Sequence, residues 1–160
     1  MTLAGQETIT RLISAHYYSL LRLAFAYTGN EAEAEDVVQD VFLSLVSREV
    51  SFESEAHEKA WLIRCTVNRS KNVMKSAWLR KRAPLEEAFG ILAQEDRGLL
   101  SAVLALPENY RAAIHLHYYE NYSIQEIAVI LGRKPATVGT WLARGRERLR
   151  NTLKGGLDDE

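Results

Sequence analysis

The chain of 160 residues contains one cysteine, Cys65, three prolines and no apolar stretch long enough to cross a bilayer. A single cysteine excludes an internal disulfide and a cysteine-cluster metal site. The first residues also lack the hydrophobic region of a secretory signal. These absences predict a protein of the reducing cytosol that does not insert into membranes. The few prolines, together with dense helical periodicity, predict an all-α fold.

Residue constellations typical of enzymes are missing as well. The sequence has no glycine-rich phosphate loop and no histidine–aspartate arrangement that would activate Cys65. His115 and His117 are two residues apart on a predicted helix, so they point in different directions and form a poor metal pair. We therefore expect neither an enzyme nor a protein that carries a metal or another cofactor.

The formal net charge of −1 conceals two strongly basic segments. Residues 64–82 contain seven basic side chains and no acidic one, and residues 133–150 contain six basic side chains against one acidic side chain, Glu147. The balancing acids lie mainly in residues 31–58 and 86–96 and at the C-terminal end. Two separate cationic segments favour two nucleic-acid contacts, and the acidic remainder indicates a surface for a different partner.

Helical periodicity and its interruptions predict two small helical domains joined by a flexible linker. Gly29 ends the first helix and Asn30 can cap the second. The predicted helices cover 7–28, 30–48, 54 to about 80, 94–105, 107–121, 123–131 and 135–153. The predicted divisions are an N-terminal domain (1–82), a linker (83–98), a C-terminal domain (99–153) and an acidic tail (154–160). The linker spans at most about 50 Å when extended.

Residues 123–150 have the pattern of a helix-turn-helix. Ser123 and Glu126 form a capping box, Gly132 suits the turn, and Pro135 suits the first turn of the next helix. The second helix would enter a DNA major groove and present a basic ridge. The alternative is an ordinary helical hairpin with a solvated basic face.

The second predicted helix divides into two faces. Five apolar residues share the side expected to be core: Val37, Val38, Val41, Phe42 and Leu45. The opposite side groups Asp36, Gln39, Asp40 and Leu43, which is the composition of a small docking surface for a basic helix. The alternative is that Leu43 is a scattered exposed leucine among solvating charges.

The third predicted helix interleaves amides with cations. Its polar side contains Arg64, Asn68, Lys71, Asn72 and Lys75, and Trp61 projects toward that side. Cations hold phosphates, amides bond base edges, and an aromatic ring supports stacking, which together suit melted DNA. The alternative is a solvated cationic face with Trp61 packed into the core.

Taken in order, these segments resemble a bacterial extracytoplasmic-function (ECF) sigma factor with regions two and four only. AFAYTGNEAEAEDVVQDVFLSLV (24–46) resembles the region-two signature, and AWLIRCTVNRSKN (60–72) resembles the minus-ten segment that follows. LPENYRAAIHLHYYENYSIQEIAVILG (106–132) and TVGTWLARGRERL (137–149) resemble region four. The resemblance covers the chain from about residue 7 to residue 153.

The resemblance implies a transcription initiation factor that binds core RNA polymerase through its clamp helices and flap. Region two, residues 1–82, would recognise and melt the minus-ten promoter element, and region four, residues 99–153, would bind the minus-thirty-five duplex. An anti-sigma factor is a further implied partner. The implied contacts are Asp36, Gln39, Asp40 and Leu43 for polymerase; Trp61, Arg64, Asn68, Lys71, Asn72 and Lys75 for the minus-ten element; and Arg133, Lys134, Thr137, Thr140, Arg144 and Arg148 for the minus-thirty-five element.

Two positions depart from the family pattern. The family usually has a basic residue where this chain has Gly139, and often another where it has Trp141. We expect Trp141 to pack between helices, so base readout shifts to Thr137, Thr140, Arg144 and the backbone.

Two other functions remain open at this point. A free-standing helix-turn-helix regulator would need a dimerising surface and palindromic half-sites. A sigma-like adaptor would bind polymerase without initiating, and Asn68 and Asn72 would then be dispensable.

Overall fold

The computed structural model describes residues 3–48, 51–77 and 102–158. These ranges contain no β-strand, and the all-α prediction is confirmed. The helices are α1 (Leu3–Thr28), α2 (Glu31–Arg48), α3 (Glu55–Ala77), α4 (Glu108–Ile114), α5 (Ile124–Leu131) and α6 (Pro135–Asp158). A π-helical turn, His115–Tyr119, continues α4 without a break and is called the π segment below.

Helices α1, α2 and α3 pack together as an N-terminal bundle. The turn between α1 and α2 forms as predicted, because Gly29 adopts a left-handed φ of 64° and the Asn30 side chain accepts a hydrogen bond from the Glu33 N–H at 2.9 Å. The predicted inner face of α2 is confirmed in full, since all five of its apolar residues are buried. Ile63, Val67 and Ser70 of α3 are buried as well.

Helices α4, α5 and α6 form a C-terminal unit whose helix ends are set by local bonds. The predicted capping box is present, with Ser123 accepting from the Glu126 N–H at 3.1 Å and Glu126 accepting from the Ser123 N–H at 3.0 Å. Gly132 has a left-handed φ of 65°, and the Arg133 N–H bonds the Ala128 carbonyl at 2.9 Å. This pattern is a Schellman motif, which ends α5 and turns the chain into α6.

Several predictions differ in extent from the structure or fall outside its description. The predicted helix over 107–121 is present, but it changes to π geometry at His115 and ends at Tyr119. Helix α6 continues to Asp158, beyond the predicted end at 153. The described residues do not include the proposed linker 83–98, the cations at 80–82, the end of the tail or most of the predicted helix 94–105.

The N-terminal bundle and the C-terminal unit share one buried apolar cluster. Helix α1 packs against α4, and α3 packs against α5. Ala112, Ala113 and Leu116 of the C-terminal unit join the cluster that contains Leu20 and Leu23 of α1. The two halves of the chain therefore contact each other directly in this structure.

Candidate nucleic-acid interface

The outer side of α2 carries the predicted docking residues. Asp36, Gln39 and Asp40 are exposed, and 64% of Leu43 is accessible to solvent. The buried side of the same helix already supplies its apolar contacts to the bundle, so these four residues are not needed for packing. We call Asp36, Gln39, Asp40 and Leu43 the α2 acidic face.

The outer side of α3 presents amides and cations at helical spacing. Arg64, Asn68, Asn72 and Lys75 are exposed, whereas Lys71 is half-buried. We call these five residues the α3 amide–cation face. Asn68 and Asn72 are one turn apart, which allows both amides to reach neighbouring bases of one strand.

Trp61 makes its contacts inside the bundle and not with the residues of this face. It is half-buried and packs at the margin of the apolar core, with its ring centroid 5.7 Å from that of Phe52. Part of its indole surface is thus used for packing inside the bundle, and the remainder is accessible.

The pKa of Lys71, on the α3 amide–cation face, is affected by a charged residue of the helix-turn-helix. Burial lowers the pKa of Lys71, and the positive charge of Arg133 lowers this pKa further, while Glu108 opposes the shift. Arg133 follows Gly132 in the turn between α5 and α6. Since α3 also packs against α5, the two predicted DNA-binding surfaces lie on neighbouring elements.

The turn before α6 and the outer side of α6 together carry the predicted minus-thirty-five residues. Lys134, Thr140 and Arg144 are exposed, Thr137 is half-buried, and the Thr140 hydroxyl donates to the Ala136 carbonyl at 3.0 Å. Two exposed arginines lie over aromatic rings: Arg133 is 6.0 Å from the Trp141 ring centroid, and Arg148 is 5.2 Å from that of Tyr110. We call Arg133, Lys134, Thr137, Thr140, Arg144 and Arg148 the α6 basic ridge.

Trp141 and Gly139 depart from the family pattern in different ways. Trp141 is half-buried and lines an open groove of about 930 Å³ with Val129 and Gln125. A Cβ atom added at Gly139 would meet no atom within 4 Å, so packing leaves room for alanine at this position.

Sequence reasoning missed the polar contacts between the two halves of the chain. Glu120, at the end of the π segment, reaches Ser19 and Lys59 of the bundle, and Arg111 of α4 reaches the Tyr27 carbonyl. It also missed an ion cluster in the bundle, in which Glu58 contacts Arg11 and His16. Only a prediction of tertiary contacts could have found them, because the partners lie more than 40 residues apart.

Within the described ranges, no three histidine, cysteine, aspartate or glutamate side chains are grouped so as to hold a metal ion. His115 and His117 have separate neighbours: His115 Nε2 lies 3.5 Å from Glu120, and His117 Nδ1 lies 2.8 Å from the Tyr122 carbonyl. No helix in the described part of the chain has the length and apolarity needed to traverse a membrane.

Comparison with known proteins identifies two family regions in this chain. The family "Sigma-70 region 2" matches residues 12–82, and "Sigma-70, region 4" matches residues 96–149. The ECF RNA polymerase sigma factor SigM of Mycobacterium tuberculosis is 32% identical over 148 residues, which cover 89% of this chain and 76% of SigM. SigE of Mycolicibacterium smegmatis is 29% identical over 163 residues, covering 94% of this chain but 63% of SigE, so the chain spans less than two thirds of that relative.

The fold is also that of a solved sigma factor. The structure of RpoE in complex with the anti-sigma factor NepR, from Bartonella quintana, matches with a TM-score of 0.72 and 24% identity over 93% of this chain and 96% of that chain. From these matches, the chain belongs to the sigma-70 family as an ECF sigma factor, a class of transcription initiation factors that are not enzymes.

Proposed function

We propose that this protein is an alternative sigma factor of the cytoplasm that binds core RNA polymerase and directs it to specific promoters. It would recognise the minus-thirty-five element as duplex DNA and melt the minus-ten element. The observation that carries this proposal is the presence of three exposed faces of different chemistry, on α2, α3 and α6, in one chain of this family.

The α2 acidic face suits the clamp helices of polymerase. An exposed leucine surrounded by two carboxylates and an amide offers one apolar anchor within a field of negative charge. A basic partner helix would be oriented by that charge and held by burial of Leu43.

The α3 amide–cation face suits the non-template strand of the minus-ten element. A good bidentate hydrogen-bonded contact to a base edge is worth about 1–3 kcal/mol, and unstacking a base costs a few kcal/mol. Asn68 and Asn72 can therefore capture one or two bases as they leave the duplex, while Arg64 and Lys75 bind the strand's phosphates. A longer opening requires polymerase.

The α6 basic ridge suits a major groove. Lys134 stands just before α6 and Arg144 two to three turns into it, so the first can contact a phosphate and the second a base edge. Because Gly139 has no side chain, Thr137, Thr140, Arg144 and the helix backbone would provide the readout.

An anti-sigma factor is an expected regulator. The sigma factor RpoE, which has a similar fold, was solved in complex with the anti-sigma factor NepR, and CnrH, also of similar fold, was solved in complex with the cytosolic domain of CnrY. We extend this partnership to the present chain as part of the proposal.

Run-off transcription with purified core polymerase on genomic fragments tests the function. We expect start sites that depend on this protein, and Asp40→Arg should abolish them by preventing core binding without lowering the melting temperature. Glu7→Arg makes the same charge reversal at an exposed position of α1 and should leave transcription unchanged. Absence of any protein-dependent start site would refute the proposal.

Two further variants test which promoter element is contacted by the α6 basic ridge and which by the α3 amide–cation face. Arg144→Ala should weaken binding by about 1–3 kcal/mol to promoters that carry the base contacted by Arg144, and should thereby relax selectivity at that base position. Arg150 is exposed on the same helix, and Arg150→Ala should not change selectivity. Asn68→Ala with Asn72→Ala should impair transcription from closed duplex more than from a template with a pre-opened minus-ten bubble. Full activity of the double variant on duplex would favour an adaptor role instead.

A further inference from the structure

The open groove between α5 and α6 has an apolar part and a cationic part. Val129 of α5 contributes a side chain that is 70% exposed, and Trp141 of α6 contributes a half-buried indole. Arg133 and Lys134, from the turn between the two helices, contribute the positive charge. None of the described residues that line the groove is acidic. The groove therefore suits a ligand that carries both negative charge and apolar surface.

The charge of Arg133 is not neutralised by the part of the chain that the structure describes. No ion pair there joins Arg133 to a carboxylate, and the nearby charge of Lys71 has the same sign. The N-terminus of α6, where the helix dipole is positive, lines the groove through Pro135 and Thr137, and its first turn has no acidic residue. An anion in the groove would therefore be attracted by the turn and by the helix end together.

The indole of Trp141 restricts the positions open to the Arg133 side chain. The Arg133 Cζ atom lies 6.0 Å from the Trp141 ring centroid, which is at the outer limit of a cation–π contact. A free arginine side chain loses rotamer entropy when it binds a ligand. Because the ring already holds the guanidinium beside the groove, this loss is smaller, and Trp141 acts as a positioning residue for Arg133.

The place of the groove in the helix-turn-helix identifies the part of the DNA that it meets. When the second helix of such a motif lies in a major groove, the first helix crosses the sugar–phosphate backbone. Trp141 lies on the flank of α6 that lines the groove with α5, whereas Thr140 and Arg144 are exposed on the outer side. The groove therefore faces the backbone at the edge of the major groove, and the outer side of α6 faces the bases.

We propose that Val129, Trp141 and Arg133 form a binding site for one sugar–phosphate unit of the promoter backbone, called the backbone site below. The deoxyribose packs on Val129 and Trp141, and the phosphate binds the Arg133 guanidinium. This inference rests on the proposed function, and it adds Val129 and Trp141 to the residues that bind the minus-thirty-five duplex. Such a contact is the same for every sequence, and it fixes the register of α6 for the residues that read bases.

A double-mutant cycle in the holoenzyme, assembled from core polymerase and the full chain, tests the site on a promoter found by run-off transcription. Arg133→Ala should weaken binding about 5- to 10-fold and should reduce the slope of log Kd against the logarithm of the salt concentration by about 0.9. Trp141→Ala should weaken binding about 3- to 5-fold, and Trp141→Phe, which keeps a ring, should recover most of that loss. Because both residues act on one phosphate, the double variant should lose less than the product of the two single losses.

Neutralising single phosphates locates the contact on the DNA. A methylphosphonate keeps the backbone but removes the charge of one phosphate. At one position beside the minus-thirty-five element, this change should weaken binding of the wild-type holoenzyme about as much as Arg133→Ala does, and it should have little further effect on Arg133→Ala. The matched control is Arg150→Ala, exposed on α6 outside the groove, which should keep the wild-type sensitivity at that phosphate.

A second substitution keeps the test decisive if Trp141→Ala loses its helical circular dichroism. Val129→Glu changes an exposed side chain and places a carboxylate where the phosphate would bind. It should weaken binding about 10-fold on every promoter tested. Leu153→Glu adds the same charge at an exposed position near the end of α6 and should bind as the wild-type protein does.

Losses that multiply fully in the cycle would overturn the proposal, and so would a Val129→Glu variant with wild-type affinity. A loss in Trp141→Ala that is confined to promoters with one particular base would also overturn it, because the indole would then read a base. If the wild-type holoenzyme selects no promoter, the proposed function fails and the backbone site fails with it. A selective holoenzyme whose Trp141 and Val129 variants bind normally rejects the backbone site alone.

Discussion

The N-terminal bundle is stabilised by contacts between residues far apart in the chain, whereas the C-terminal unit is shaped by bonds between near neighbours. In the bundle, Glu58 of α3 pairs with Arg11 at 3.1 Å and with His16 at 3.2 Å, both on α1. In the C-terminal unit, Ser123 pairs with Glu126 three residues away, and Gly132 turns the chain between α5 and α6. The bundle therefore depends on a few large, non-local interactions and the C-terminal unit on several small, local ones.

The largest effect should come from the ion cluster of the bundle. Glu58→Ala leaves Arg11 and His16 without their buried carboxylate and should lower the free energy of unfolding by about 2–3 kcal/mol. Glu53→Ala, at an exposed position just before α3, should cost less than about 0.5 kcal/mol. Urea unfolding followed by circular dichroism measures both. Equal, small effects would show that the bundle is as tolerant as the C-terminal unit.

Acid should weaken the junction between the two halves. The neighbouring imidazole of His115, with Ser19 and Lys59 acting in the same direction, lowers the pKa of Glu120 to about 2 in the folded protein, so the stabilising effect of Glu120 is present above its ordinary pKa near 4.5 and is lost as the pH falls from there toward 2. We expect the free energy of unfolding to fall by on the order of 2 kcal/mol more in the wild-type protein than in Glu120→Gln over this range. Unfolding curves at several pH values measure the difference.

A second carboxylate, that of Glu58, contributes to the loss of stability over the same pH range. Burial alone would raise the pKa of Glu58, but hydrogen bonds and charge from Arg11 and His16 outweigh burial and lower it. Glu120→Gln should therefore reduce the acid sensitivity without abolishing it. Parallel curves for the wild-type protein and Glu120→Gln would show that Glu120 is not stabilised as a carboxylate in the fold.

The division between local and non-local contacts also explains what the sequence could predict. Asn30 and Ser123 were identified as helix caps, and Gly132 as a turn residue, because the atoms they serve are within a few residues. The two faces of α2 follow from the helical period alone. These features are determined by spacing and by backbone chemistry.

The features that could not be predicted from the sequence depend on tertiary structure. Glu120 and Ser19 are 101 residues apart, and Arg111 and Tyr27 are 84 apart, so no local pattern marks either pair. The π segment was predicted as ordinary helix, because its altered bonding is not visible in the residues His115–Tyr119. The roles of the α2, α3 and α6 faces stay predictions, since exposure shows that these residues are accessible and not what they bind.

A moderate, local effect is expected at the capping box. Ser123→Ala removes the acceptor for the Glu126 N–H and should cost about 1 kcal/mol. Ser14→Ala, at an exposed position within α1, should be neutral or slightly stabilising. Thermal unfolding separates the two variants. A cost at Ser123 as large as that of Glu58→Ala would show that the C-terminal unit is also stabilised by a few dominant contacts.

The smallest effect should be a gain, at Gly139. Alanine there meets no atom within 4 Å and restores helix propensity, so Gly139→Ala should stabilise the protein by up to about 1 kcal/mol. At Gly145 an added Cβ would lie 2.7 Å from Ile114 Cδ1, and the movement of that side chain should offset much of the same gain in Gly145→Ala. Thermal unfolding of the two variants tests whether packing distinguishes these glycines. Equal stabilisation would mean that α4 and α6 adjust at no cost, and a loss at Gly139 would mean that glycine is needed there for the helix itself, independently of any DNA contact.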